Sequence, residues 1–599
     1  MRSLVLLIVA SHLFAQTVSQ PAGQAGSQGA GQPAIFPLKD IRPGQSGIGK
    51  TIFSGSKVEE FQVEVLGVLE NLGPKQSIIL ARLSGGPLEK TGVMQGMSGS
   101  PVYIDGKLVG AVALAFPFSK DAIAGIRPIE EMLAINEPRR AVAALASLAP
   151  LTAPVARLNA LAPKANQWSG GLTEIATPLS FAGFTQPTLD YFAPELRKLG
   201  LEPMQGVSSG GQLPSRMGNS STLKPGDMIT VQLLSGDWSI GADGTVTAID
   251  ANKVYAFGHR FLSVGNTELP FARSNVVALL PNLQSSFKIS SAKEWMGTIT
   301  QDRSTSIYGE LGREAFTIPL NISLDNHSRP PLVYHTKMVN DRVLSPLLVQ
   351  MVVFSVIDAT ERALGMGSFT VKGEARFDDG LPPVRFDNTY AGDFNVPLQV
   401  SLGISAPLAY ALGTGFDALK VKSIDLSIEA SEKRSVLQID QVTASPREVH
   451  PGETVEVVTT LSGDNGVETM KTVQYHVPVG LQAGPLYFTV ADASSTNVLD
   501  YQQLLSAQPK SPSQVLSFLN GLRPNTDAYV RVWRADPGFQ SQGAELPDPP
   551  ASVALIFGKA QAAQLGASLT RGSKLAELRI HTGDAVVAGT KTIQVDVKE

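Results

Sequence analysis

No cysteine occurs among the 599 residues, which excludes disulfides, thiol nucleophiles, thiolate metal sites and cysteine-linked lipid anchors. Charge is scarce as well: 17% of the chain is charged, the formal net charge is -4, and no basic run suits a nucleic acid or an anionic lipid surface. Beyond the N-terminus no apolar run reaches the roughly 20 residues that a membrane span requires. The strongest, residues 343–357, contains Gln350 and reads as a buried helix, so no integral span is expected once a signal is removed. No cofactor and no metal site are expected. Histidine is rare, with seven in all, so each can be read singly.

The chain is long for one core, and about four units fit its length. Arg2, the apolar run at 4–10 and the small residue Ala15 have the three regions of a secretory signal, assigned to 1–15 and implying export to a periplasmic or extracellular space. The small-residue rule at the cleavage site is only half met, with Leu13 two places before Ala15. Residues 16–34 are mostly Gln, Gly, Ala and Ser and form a flexible linker, because they cannot bury a face. From 35 to 134 the pattern is β: residues 61–65 alternate, and 78–83 form a strand that stops at Ser84-Gly85-Gly86-Pro87. An Ala/Pro-rich linker follows at 135–167, and a connecting segment at 168–222.

Within this first unit, residues 44–51 (Gly44 to Thr51) match a P-loop letter for letter. Pro43 ahead of the motif and Ile52-Phe53-Ser54-Gly55 behind it deny it a preceding buried strand and a following helix. The informative stretch is Gly96-Met97-Ser98-Gly99-Ser100-Pro101, followed by two short apolar runs joined at Asp105-Gly106. Asp-Gly supplies the positive φ angles of a type I′ turn, so Ser98 sits on a loop that runs into a tight hairpin. Gly96 permits a bend in which the Gly96 and Ser98 N–H groups form an oxyanion hole. The α/β-hydrolase elbow is excluded, since Ser100 and Pro101 replace its second glycine and helix.

A serine nucleophile needs a base. His12 lies in the signal, and His327, His335, His450, His476 and His581 sit in turn-rich or alternating segments that suit structural histidines. His259 differs, because residues 244–250 and 253–259 read as a hairpin whose second strand ends on Gly258-His259. A histidine there is exposed on a rigid scaffold, as a general base must be.

Several stretches together are similar to the SpoIVB family of sporulation serine peptidases. They are Leu88 to Gly92 running through Gly96 to Pro101, Gly106 to Ala111, Gly244 to Thr247 with Gly258-His259, and Met296 to Thr300 with Ile307-Tyr308-Gly309. The resemblance implies a mainly β fold with a chymotrypsin-like double barrel, Ser98 as nucleophile and His259 as general base. It also implies a serine-bearing half at 35–134 and a histidine-bearing half at 223–312, in exchanged order. The family's aspartate falls on Ser84 and its later threonine on Ala113, and its PDZ-like module has no clear counterpart in 168–211. The third catalytic group is therefore open: Asp302 is the first candidate, Glu268 the second, and a plain turn aspartate the alternative for Asp302. Gly92, six residues before Ser98, lines the primary pocket by the same resemblance, which favours cleavage after apolar or small residues.

Beyond residue 312 no further catalytic cluster is visible. Residues 313–432 read as a β-rich domain with one buried helix, 433–497 as an immunoglobulin-like sandwich and 498–599 as a C-terminal β-rich domain, the last two suited to an envelope protein partner. The expectation is an exported serine endopeptidase acting on envelope or secreted proteins. A non-catalytic binding or scaffold protein on the same fold is the alternative, and a structural surface protein is the third reading.

Overall fold

The computed structural model describes residues 34–136, 171–206 and 216–599, apart from 284, 328–329, 361–366, 379, 393–394, 464–465, 467, 507–508, 510, 537, 542–543, 547–549, 558–566 and 571. The expected signal at 1–15, the tether at 16–33 and most of the Ala/Pro-rich linker (137–167) lie outside the described residues. The architecture is mainly β.

Six antiparallel strands close the first barrel. They are β1 (Ser46–Ile52), β2 (Val58–Gly73), β3 (Gln76–Ser84), β4 (Pro101–Ile104), β5 (Lys107–Ala115) and β6 (Ile123–Pro128). The order is β4-β1-β2-β3-β6-β5, and β5 pairs back onto β4. Alternation sets the faces: Phe61, Val63 and Val65 of β2 are buried while Gln62 and Glu64 are exposed. Residues 46–51 of the P-loop look-alike lie in β1, and a Cβ on Gly49 would overlap the Phe61 ring. Asp105 and Gly106 both have positive φ, so the β4–β5 connection is the tight turn that Asp-Gly calls for.

Three strands follow, β7 (Thr173–Glu174), β8 (Thr177–Ala182) and β9 (Leu201–Gln205). β7 adds to the edge of β5, while β8 and β9 belong to the next sheet. The second barrel is built from β10 (Met228–Gly236), β11 (Ser239–Asp250), β12 (Lys253–Ala256), β13 (Gly265–Leu280), β14 (Phe287–Arg303) and β15 (Ser306–Leu311). Its order is β10-β13-β14-β15-β12-β11, and β11 pairs back onto β10. The two barrels share an apolar seam in which Leu108, Ala111, Ile129 and Met132 meet Ala248, Tyr255 and Tyr308. β5 is buried along almost its whole length because it faces its own core on one side and that seam on the other.

Two sequence boundaries are corrected. Residues 313–432 do not form a separate unit: their strands continue the sheet from β10, and their core is continuous with that of the second barrel. They hold two apolar helices, Leu344–Thr360 and Val396–Gly413, where one was expected; Pro397 and Pro407 mask the second in the sequence. Among the described residues Val396–Gly413 alone is long and apolar enough to cross a membrane, and 67% of it is buried inside the protein. The segments 433–497 and 498–599 likewise share one sandwich whose core runs from Ile439 to Val597. Asp492 pairs with Ala528 and Val490 with Lys591, so late strands complete early sheets. Such long-range pairing leaves no local signal.

Candidate active site

The Ser98 loop is held from both sides. Within the first barrel the Gly99 amide donates to Val112 O (2.8 Å) and Ser100 O accepts from the Val112 amide (3.0 Å). From the second barrel the Thr245 amide donates to Ser98 O (2.8 Å), Thr245 Oγ1 to Gly96 O (2.9 Å) and Thr247 Oγ1 to Gly99 O (2.7 Å). Gly96 and Gly99 both adopt positive φ, and a Cβ on Gly99 would overlap the Thr245 carbonyl oxygen and sit 2.6 Å from Phe257 N. Among the described residues the Gly96 and Ser98 amides donate to no acceptor, and Ser98 Oγ is buried without a partner. Two N–H groups free of other acceptors beside a serine hydroxyl suit an oxyanion hole, which needs free donors next to the nucleophile.

His259 follows a turn forced out of β12. Phe257 and Gly258 both have positive φ, and Phe257 is buried against Gly244, where a Cβ would overlap its ring. A Cβ on Gly258 would lie 3.1 Å from those of Ala111 and Ala113, so the turn rests on β5. His259 Nδ1 is 2.6 Å from Arg260 O. A carbonyl only accepts, so Nδ1 carries the proton and Nε2 keeps its lone pair. Nε2 is buried without a partner. Burial holds the ring's pKa below its ordinary value, against the opposing charge of Glu174, so the imidazole is neutral at pH 7.

Asp302 does not bond to the ring. Its Oδ1 accepts from the Phe261 amide (2.8 Å), and its Oδ2 from the amides of Leu262 (2.6 Å) and Val264 (3.3 Å). It therefore pins the segment just after His259, and the group at Nδ1 is a backbone carbonyl where an acid was expected. Burial pushes the Asp302 carboxyl up to about 6 in spite of those amides. Glu268 is half-buried at the irregularity of β13 between Asn266 and Leu269, and no described hydrogen bond joins it to His259. Ser84 is exposed at the end of β3, and Ala113 is buried. His327, His335, His450, His476 and His581 are all exposed.

Beneath the serine loop lies a pair that the sequence reading missed. Lys288 is fully buried at the head of β14; its Nζ donates to Thr51 Oγ1 of the first barrel (2.7 Å), and its stem lies against Gly96. Asp243, buried in β11, accepts from Thr230 (2.5 Å), Ser290 (2.6 Å) and Ser180 (3.1 Å). Burial lowers Lys288 to about 7 and raises Asp243 to about 6, each drawn back in part by the other's charge and Asp243 also by its three hydroxyl donors. The available signal was a lysine at an inward position of an alternating strand, next to Ser290.

A groove of about 750 Å³ runs beside the serine loop, lined in part by Gly92, Val93, Phe116, Phe118, Ile175 and Leu283. Among the described residues no three His, Asp or Glu side chains gather as a metal site would need. No curated protein and no solved structure matches the chain. The first barrel with its Ser98 loop and hairpin does have a counterpart: residues 28–133 match the family model of the SpoIVB peptidase S55.

Proposed function

We propose that the protein is an exported serine endopeptidase of the SpoIVB type, with Ser98 as nucleophile and His259 as general base acting on protein substrates. The observation that carries this reading is that Ser98 Oγ and His259 Nε2 are both buried and unpartnered, with no hydrogen bond joining them in this conformation, on loops each docked on the opposite barrel, the serine loop on Thr245 and Thr247 and the Gly258 turn on β5.

In the proposed reaction Ser98 Oγ attacks the substrate carbonyl as its proton passes to Nε2, and the oxyanion is met by the Gly96 and Ser98 amides. The imidazolium then returns the proton to the leaving amine, and water releases the acyl group by the same route. Arg260 O accepts from Nδ1 throughout, which fixes the tautomer, and Asp302 keeps that carbonyl's segment in place.

A second reading, a binding protein on a peptidase scaffold, draws on Ala113, where the family's threonine is missing. Cleavage of an unfolded protein separates the two. Ser98→Ala is expected to lower turnover by about 10⁴- to 10⁶-fold while binding persists; unchanged cleavage would reject the peptidase reading.

A further inference from the structure

Ser98 and His259 are 0% and 2% exposed, so no polypeptide reaches them in this conformation. The element lying against them is short. Thr173 and Glu174 pair antiparallel with Ala115 and Leu114, and the Ile175 amide donates to Ala113 O at 3.0 Å. Ala113 touches the Gly258 turn ahead of His259, and Glu174 pairs with Arg260 just after it (3.0 Å). Ile175 is 6% exposed and packs into the first barrel's core with Met94, Met97 and Val112. The groove beside Gly92 and Val93 begins at this same segment.

An extended chain on a sheet edge, with one apolar side chain sunk beside the nucleophile loop, is how a peptide is held by strand addition: backbone bonds give affinity and the pocket gives specificity. We infer that residues 173–176 occupy the substrate's own place on the β5 edge, so that the cleft takes extended polypeptide with an apolar residue where Ile175 now lies, and closes on itself until that segment is displaced. The inference rests on the peptidase reading for its chemistry, but not for its binding. Two residues of pairing, the Ile175 amide bond to Ala113 O, one buried side chain and one partly exposed ion pair hold the segment, so a competing strand can replace it. The apparent affinity for any substrate falls by the fraction of molecules in which the edge is free.

The test uses the full chain and a fluorescent peptide copying residues 171–178, with a second peptide carrying aspartate in place of the isoleucine. In a Ser98→Ala background, Ile175→Gly is expected to bind the first peptide at least about tenfold more tightly than Ser98→Ala alone, and to reject the aspartate peptide. Glu174→Gln is expected to act in the same direction, and Ile175→Val to keep the closed behaviour, which guards against a variant that merely misfolds. Equal binding by the open and closed chains, or binding by neither, overturns the inference. Fluorophosphonate labelling of chains that retain Ser98 is expected to be faster in Ile175→Gly than in the parent; measurable labelling at equal rates in both also overturns it. Peptide binding that switches on while Ser98 stays unlabelled in every chain would instead sink the peptidase reading and leave the self-occupied edge standing.

Discussion

The chemistry of His259 turns on its neighbours one and two positions along the chain. A triad acid orients its imidazole through a carboxylate; here Arg260 O does so, and Asp302 acts one step back by gathering the amides of 261, 262 and 264. Asp302 also leaves a thermodynamic trace. Its carboxyl titrates near 6 in the folded chain against 3.8 for the free group, so between those values the folded state binds more protons than the unfolded one. That contribution to stability is present below about pH 3.8 and is lost as pH rises through about 6. Asp302→Asn removes the ionisation. The melting temperature of the parent relative to this variant is therefore expected to fall from pH 4 to pH 6.5, and a difference that stays flat or rises would contradict the burial argument. Ser98, Gly96 and His259 could be singled out as candidates because glycine adjoins both the serine loop and the histidine in the sequence. Arg260 O was not, because a backbone carbonyl carries no residue signature, and Lys288 looked like any lysine in a strand.

The β4–β5 hairpin and the turn after β12 were readable from Asp105-Gly106 and Gly258-His259, since each depends on a local backbone need. The docking of one on the other was not readable, because it is fixed by small size: no side chain at Gly99 and Gly258, and only methyl groups at Ala111 and Ala113. Gly99 is the tightest point. Its φ of +94° strains any L-residue, and a Cβ would overlap Thr245 O, the carbonyl of the residue whose amide holds Ser98 O. Gly99→Ala is accordingly expected to push the serine loop off β11, costing activity about 10²-fold or more, as misplacement of about 1 Å does, while the first barrel's own strands persist. Cleavage assays paired with circular dichroism check this; an active Gly99→Ala chain would show that the contact does not position the nucleophile.

Taken whole, the molecule places its serine barrel first and its histidine barrel second, and joins them through the Tyr255–Tyr308 seam, the Lys288–Thr51 bond and the Ser98–Thr245 bond. Chain order is immaterial to such a site, since geometry defines it. The β character of 35–134 could be anticipated from alternation and turns, and the double barrel only from the family resemblance. The merging of 313–432 into the second barrel's core and the single sandwich at 436–597 could not, since both depend on pairings between distant strands. The proposed function rests on one claim, that Ser98 is a nucleophile served by His259. Fluorophosphonate treatment of the full chain, in its parent and Ile175→Gly forms, followed by mapping of the adduct by mass spectrometry, tests it most directly. The account predicts an adduct on Ser98 that disappears in Ser98→Ala and falls at least about 10³-fold in rate in His259→Ala. No adduct on Ser98 in either form, or an adduct whose rate is indifferent to His259, would contradict it.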